Sequence, residues 1–105
     1  MEYILIYVTC KDFEEAKKIS KALLSQRLVA CANILPEISS MFWWEGKIDQ
    51  ANEVPIILKT LKELSTEVIN KIKSLHSYEC PCIIGLPIEV GYEGFLKWIK
   101  EETRR

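Results

Sequence analysis

Two strand-helix-strand patterns follow one another along this chain, joined by a single turn at Glu45-Gly46-Lys47, and that order constrains the fold more than any other feature. Glu2 to Cys10 is rich in Ile, Tyr, Val and Leu with almost no alternation, which predicts a central strand buried on both faces. Asp12 and Glu15 match a capping box. Phe13, Ala16, Ile19 and Leu23 then recur at helical spacing while Lys17, Lys18 and Lys21 point away, so the first helix ends near Gln26 or Arg27. From Leu28 to Trp44 the residues are β-branched, aromatic or small, and Pro36 in the middle predicts a bulge or bend in one long strand. After the turn, Ile48 and the run from Val54 to Leu58 give the returning strand, with Pro55 implying an edge position or an unpaired N–H. Thr60-Leu61-Lys62-Glu63 reads as a second capping box, opening a helix with the stripe Leu64, Val68, Ile72 and Leu75 that stops by Ser77. Cys82 to Ile88 is a further strand, and Gly91 to Glu102 a last helix turning Phe95, Leu96 and Ile99 inward.

Two βαβ halves joined by a hairpin describe an α+β, ferredoxin-like split βαβ arrangement (β-α-β-β-α-β plus a C-terminal helix). Its sheet is antiparallel with helices on one face. No linker, repeat or low-complexity stretch divides residues 1–105, so one domain is expected. Strands apolar on both sides leave a second sheet face to cover, and another copy of the chain is the economical candidate. The long second and third strands would overhang a small sheet, and such a ribbon can pair with a neighbouring subunit's edge.

Charge narrows the function classes. Fourteen Lys and Arg against fifteen Asp and Glu leave a net charge of -1, so no basic field attracts phosphate backbones and no nucleic-acid partner is expected. The apolar run from Tyr3 to Val8 is far shorter than the roughly 20 residues of a membrane helix, and Glu2 stands where a signal peptide carries basic residues. No membrane partner and a cytoplasmic location are therefore expected, with the four cysteines as thiols.

Phe42-Trp43-Trp44 is the densest aromatic cluster; on a hairpin it can stack a ligand or nucleobase, although burial in a core or subunit interface is the commoner fate of Trp. His76 is the only histidine, and with Cys80 and Cys82 it offers one imidazole and two thiolates to a soft ion such as Cu(I) or Zn(II). Against this stands a loop histidine with two packed thiols. Cys31, within Ala30-Cys31-Ala32-Asn33, joins His76, Cys80 and Cys82 as a candidate metal ligand, against the reading of a buried inert thiol on a small-residue strand. Gly-rich phosphate loops, a Ser-His-Asp order and a His-Glu-x-x-His sequence are all missing, so no enzymatic activity is expected.

Ala30-Cys31-Ala32-Asn33-Ile34, Trp44-Glu45-Gly46-Lys47-Ile48, Glu53, Lys59-Thr60, His76-Ser77-Tyr78-Glu79-Cys80-Pro81 and Leu86-Pro87-Ile88 together resemble the signature blocks of the CutA divalent-cation-tolerance family, over nearly the whole chain. The resemblance implies a ferredoxin-like homotrimer linked to tolerance of copper and other divalent metals, with copper or another divalent ion as its ligand. It also implies an intersubunit cleft to which Cys31, Trp44, Glu53, Lys59, Thr60, His76, Tyr78 and Glu79 correspond. Two departures stand out: Ser77 follows His76 where the family usually has proline, and Cys82 replaces a frequent glutamate, which would soften a site there toward Cu(I). The rival reading is a trimeric regulatory or scaffold module that binds a small ligand or partner protein at that cleft. A third, an enzyme in the cleft, would draw on Lys59, His76 or Cys31.

Overall fold

A computed structural model describes residues 2–104. The elements run β1 (Tyr3–Cys10), α1 (Phe13–Ser25), β2 (Cys31–Ile34), β3 (Ile38–Trp44), β4 (Lys47–Leu61), a 3-10 turn (Lys62–Leu64), α2 (Ser65–Leu75), β5 (Ile83–Ile88) and α3 (Glu93–Glu102). The sheet order is β2-β4-β1-β5, every pair antiparallel, with β3 continuing beyond β2 along the same edge of β4. This is the split βαβ arrangement, with the expected long second strand divided at Leu35-Pro36-Glu37.

Register places Ile6 opposite Leu58 and Val8 opposite Ile56, so these four share one face. That face packs against Ile19 and Leu23 of α1 and Val68 and Ile72 of α2, all fully buried. Each such side chain contributes about 1.5–3 kcal/mol by leaving water. In β1 the alternate residues Tyr3, Leu5 and Tyr7 are only half-buried. The expected burial on both faces is therefore met on one face within a single chain. Part of the outer face is crossed by α3, whose Ile99 is buried and whose Leu96 packs on the core, whereas Phe95, expected inward, is 39% exposed.

Pro55 does not mark an edge: β4 is a central strand, flanked by β1 and β2. Its carbonyl accepts from Leu35 N–H at 2.9 Å, so its ring nitrogen faces the break between β2 and β3, where the ladder needs no donor. The second capping box is also corrected. β4 runs on to Leu61, and Thr60 spends its hydroxyl on the Leu28 carbonyl at 2.6 Å instead of capping a helix. The first box forms in part: Asp12 accepts from Glu15 N–H at 2.9 Å, while the Glu15 carboxylate turns elsewhere.

Beyond Glu53, β3 and β4 pair only with each other, from Ile38↔Glu53 to Trp44↔Lys47. Glu45 at φ 49° and Gly46 at φ 81° close this overhanging ribbon through a two-residue turn whose twist matches the strands. Among the described residues, no helix is long and apolar enough to cross a membrane.

Candidate functional site

Where β1 ends and α1 begins, three side chains with metal-ligand chemistry converge: Cys10, Glu15 and His76 place their ligand atoms within 4.8 Å of one another. Glu15 and His76 are already engaged. Glu15 accepts from Lys11 N–H at 2.9 Å through Oε1 and from Ser77 N–H at 2.8 Å through Oε2. His76, its side chain fully buried, places Nε2 2.8 Å from the Thr9 carbonyl, and Nδ1 accepts from Tyr78 N–H at 3.1 Å. Those partners assign the proton to Nε2. Burial works against the Glu15 anion, but hydrogen bonds from Ser77 and Lys11 outweigh it and hold the carboxyl below its ordinary range. Burial, aided by the Glu15, Glu53 and Asp12 carboxylates, pushes the Cys10 thiol up to about 12. With both imidazole nitrogens and both carboxylate oxygens partnered, the cluster is satisfied by backbone groups of the chain itself. It is a knot that fastens residues 76–78 onto β1 and α1.

On the far side of Tyr78 an open groove of about 710 Å³ lies between the β3–β4 ribbon and residues 78–82. Of the residues singled out from sequence, Trp44, Glu53, Tyr78, Glu79, Cys80 and Cys82 line it. Tyr78 packs its ring 4.8 Å from that of His76, so the knot sets the position of the groove wall. Burial, followed by a hydrogen bond to Glu53 and the charge of that carboxylate, raises the Tyr78 phenol well above its usual range. Glu53 itself is 7% exposed. The Cys82 thiol is raised by burial and by Glu53, partly offset by a hydrogen bond with Thr9, and Tyr7 is raised by burial, Cys82 and Glu53. All four cysteines are free, Cys80 and Cys82 exposed.

Two sets of residues grouped by the sequence reading thus separate. His76 belongs to the knot and does not join Cys80 and Cys82 in a three-ligand cluster, while half-buried Cys31 lies on β2 opposite Lys59. Lys59 and Thr60 are not in the groove. Lys59 donates to Asn33 Oδ1 at 2.6 Å and sits 5.9 Å from the Phe95 ring centre, and Thr60 is fully buried. Glu53 and Lys59, six positions apart on β4, are about 20 Å apart along the strand. Phe42, Trp43 and Trp44 are 38%, 72% and 44% exposed, which excludes the chain's own core as their destination. Sequence reasoning missed Glu15 and Cys10; the available signal was an acid at i of the stripe Glu15, Ile19, Leu23.

Comparison with known proteins agrees with this arrangement over the whole chain. Residues 4–102 match the family model described as CutA1 divalent ion tolerance protein. The divalent-cation tolerance protein CutA of Archaeoglobus fulgidus is 51% identical over 96 residues, covering 91% of this chain and 93% of that protein. A solved structure of the periplasmic divalent cation tolerance protein CutA from the same organism superposes with a TM-score of 0.93 at 48% identity, covering 95% of this chain and 97% of the other. The crystal structure of CutA1 from Oryza sativa does so with a TM-score of 0.96 at 38% identity, covering 99% and 95%. With the family model matching residues 4–102 and these relatives agreeing in sequence and superposition over more than nine-tenths of the chain, the chain belongs to the CutA1 divalent ion tolerance family.

Proposed function

We propose that this protein is a cytoplasmic, homotrimeric metal-tolerance protein that takes up copper as Cu(I), or a similarly soft ion, weakly and without catalysis. The observation carrying this reading is that Cys80 and Cys82, on either side of Pro81, are exposed thiols lining one groove. Thiolates favour Cu(I), and a glutamate at position 82 would not. Both thiols must lose their protons to bind, and since burial and Glu53 raise Cys82, binding releases protons and tightens as pH rises.

Assembly is supported by apolar surface that a lone chain leaves wet: Ile84 and Leu86 on the outer sheet face are 52% and 49% exposed, and Met41 on the ribbon 71%. Three copies follow from the family resemblance. In such an assembly the Cys31–Lys59 end of one chain would complete the cleft against the Trp44, Glu53, Tyr78 and Glu79 wall of another, joining sets that are about 20 Å apart in one chain.

Competitive titration of the purified protein with Cu(I), Cu(II) and Zn(II), with sedimentation at several concentrations, tests both parts. Saturable Cu(I) binding that disappears in a Cys80→Ser, Cys82→Ser double variant is expected, on a trimer. The absence of saturable binding by any of the three ions overturns the metal assignment, and a monomer across the concentration range overturns the assembly.

A further inference from the structure

One atom of the knot changes its role with protonation. Nδ1 of His76 accepts from Tyr78 N–H at 3.1 Å, and the same atom lies 3.9 Å from Glu15 Oε1. In the neutral ring, with its proton on Nε2 beside the Thr9 carbonyl, Nδ1 is an acceptor and serves Tyr78. An imidazolium carries a proton on both nitrogens, so Nδ1 becomes a donor and can no longer accept from Tyr78 N–H. The Glu15 carboxylate is the acceptor set beside it, held ionised by its own donors at Lys11 and Ser77. The Nε2 contact to Thr9 is the same in both forms, which keeps the ring seated while its other nitrogen changes partner.

We propose that His76 is a proton-operated latch: taking up a proton closes Nδ1–H onto Glu15 Oε1 and releases Tyr78 N–H, so that the chain swings about Ser77. Ser77 N–H donates to Glu15 Oε2 at 2.8 Å and involves neither ring nitrogen, so the attachment just before Tyr78 holds in both states. The titratable groups facing the ring are Glu15 from α1, Cys10 from β1 and Tyr78 in its own segment. Burial keeps the Cys10 thiol protonated, which leaves Glu15 as the counter-charge. Glu53 of β4 reaches the ring only through the Tyr78 phenol, and Asp12 is turned to the Glu15 N–H. Because Tyr78 also hydrogen-bonds Glu53, its release carries the change from the knot to β4. The latch goes beyond metal tolerance and uses neither Cys80 nor Cys82.

The test is an NMR titration of the full-length, metal-free protein from about pH 8 to about pH 5, the interval over which histidine exchanges its charge. The His76 ring nitrogens report protonation, and the Ser77 and Tyr78 amides report the latch. Ring and Tyr78 amide are expected to change with one midpoint. On the acid side, protection of the Tyr78 amide from hydrogen exchange, corrected for the intrinsic effect of pH, should fall by about tenfold or more, while Ser77 stays protected. His76→Asn, whose amide oxygen accepts from Tyr78 N–H without titrating, should keep that protection constant. Glu15→Gln removes the counter-charge and should move the midpoint to lower pH. If the Asn variant does not fold, the coupled midpoints of the parent protein and of Glu15→Gln decide the matter. A ring that titrates with no change at the Tyr78 amide, a ring that keeps one protonation state throughout, or the same loss of protection in His76→Asn overturns the proposal.

Discussion

The knot and the groove share a wall at Tyr78 and both carry thiols and carboxylates, yet they differ in what their side chains have left to give. In the knot, Cys10, Glu15 and His76 carry a thiol, a carboxylate and an imidazole within 4.8 Å, closer than any other such trio among the described residues. The imidazole and the carboxylate are engaged by backbone groups of Thr9, Lys11, Ser77 and Tyr78. In the groove, carboxylates and thiols are farther apart and, in a single chain, face open space. Proximity of ligand atoms alone therefore does not mark a binding site, since the closest trio is the one whose lone pairs are already in use.

The sharpest way to break that contrast is to remove His76. His76→Ala leaves the buried Thr9 carbonyl and Tyr78 N–H without partners and opens a void, and should lower stability by about 3 kcal/mol in urea titrations at fixed protein concentration. The Cys80→Ser, Cys82→Ser double variant should stay within about 0.5 kcal/mol of the parent. Comparable losses in both would erase the distinction.

Acid titration sharpens it further. Glu15 binds its proton less readily folded than unfolded, so its contribution is complete above the unfolded value of about 4.3 and disappears as pH falls through the lower folded value. Glu15→Gln should flatten this acid limb of the stability profile, and an unchanged slope would remove Glu15 as the fastening group. The smallest effect is expected at Ser20, whose hydroxyl is buried without a hydrogen-bond partner, unlike the carboxylate and imidazole of the knot. Ser20→Ala should be neutral or stabilising by up to about 1 kcal/mol in the same titrations.

Local patterns carried the element order, the break at Pro36 and the ribbon turn, because apolar period and turn chemistry act within a few residues. Where a residue answered to a distant partner, they did not. Thr60 has a capping residue's chemistry, but the Leu28 carbonyl, 32 positions away, takes its hydroxyl. Pro55 was legible as a missing donor, while the fact that it faces a break in the neighbouring strand depends on register. His76 is near Cys80 and Cys82 in sequence, yet the Thr9 carbonyl draws its ring to the other side of Tyr78. Family resemblance supplied Trp44, Glu53, Tyr78 and Glu79, which do meet in the groove, and also Lys59, Thr60 and Cys31, which in one chain do not. Fold was thus more legible than site, since a site is assembled from long-range contacts.

The most direct measurement is X-ray absorption at the copper edge of the purified protein titrated with Cu(I), which reports the neighbours of the metal. Sulfur neighbours alone, lost in the Cys80→Ser, Cys82→Ser variant and kept in Glu15→Gln, are predicted if the groove thiols hold the ion and the knot is structural. Imidazole scattering from His76, or a signal that survives loss of both groove thiols, would contradict that assignment.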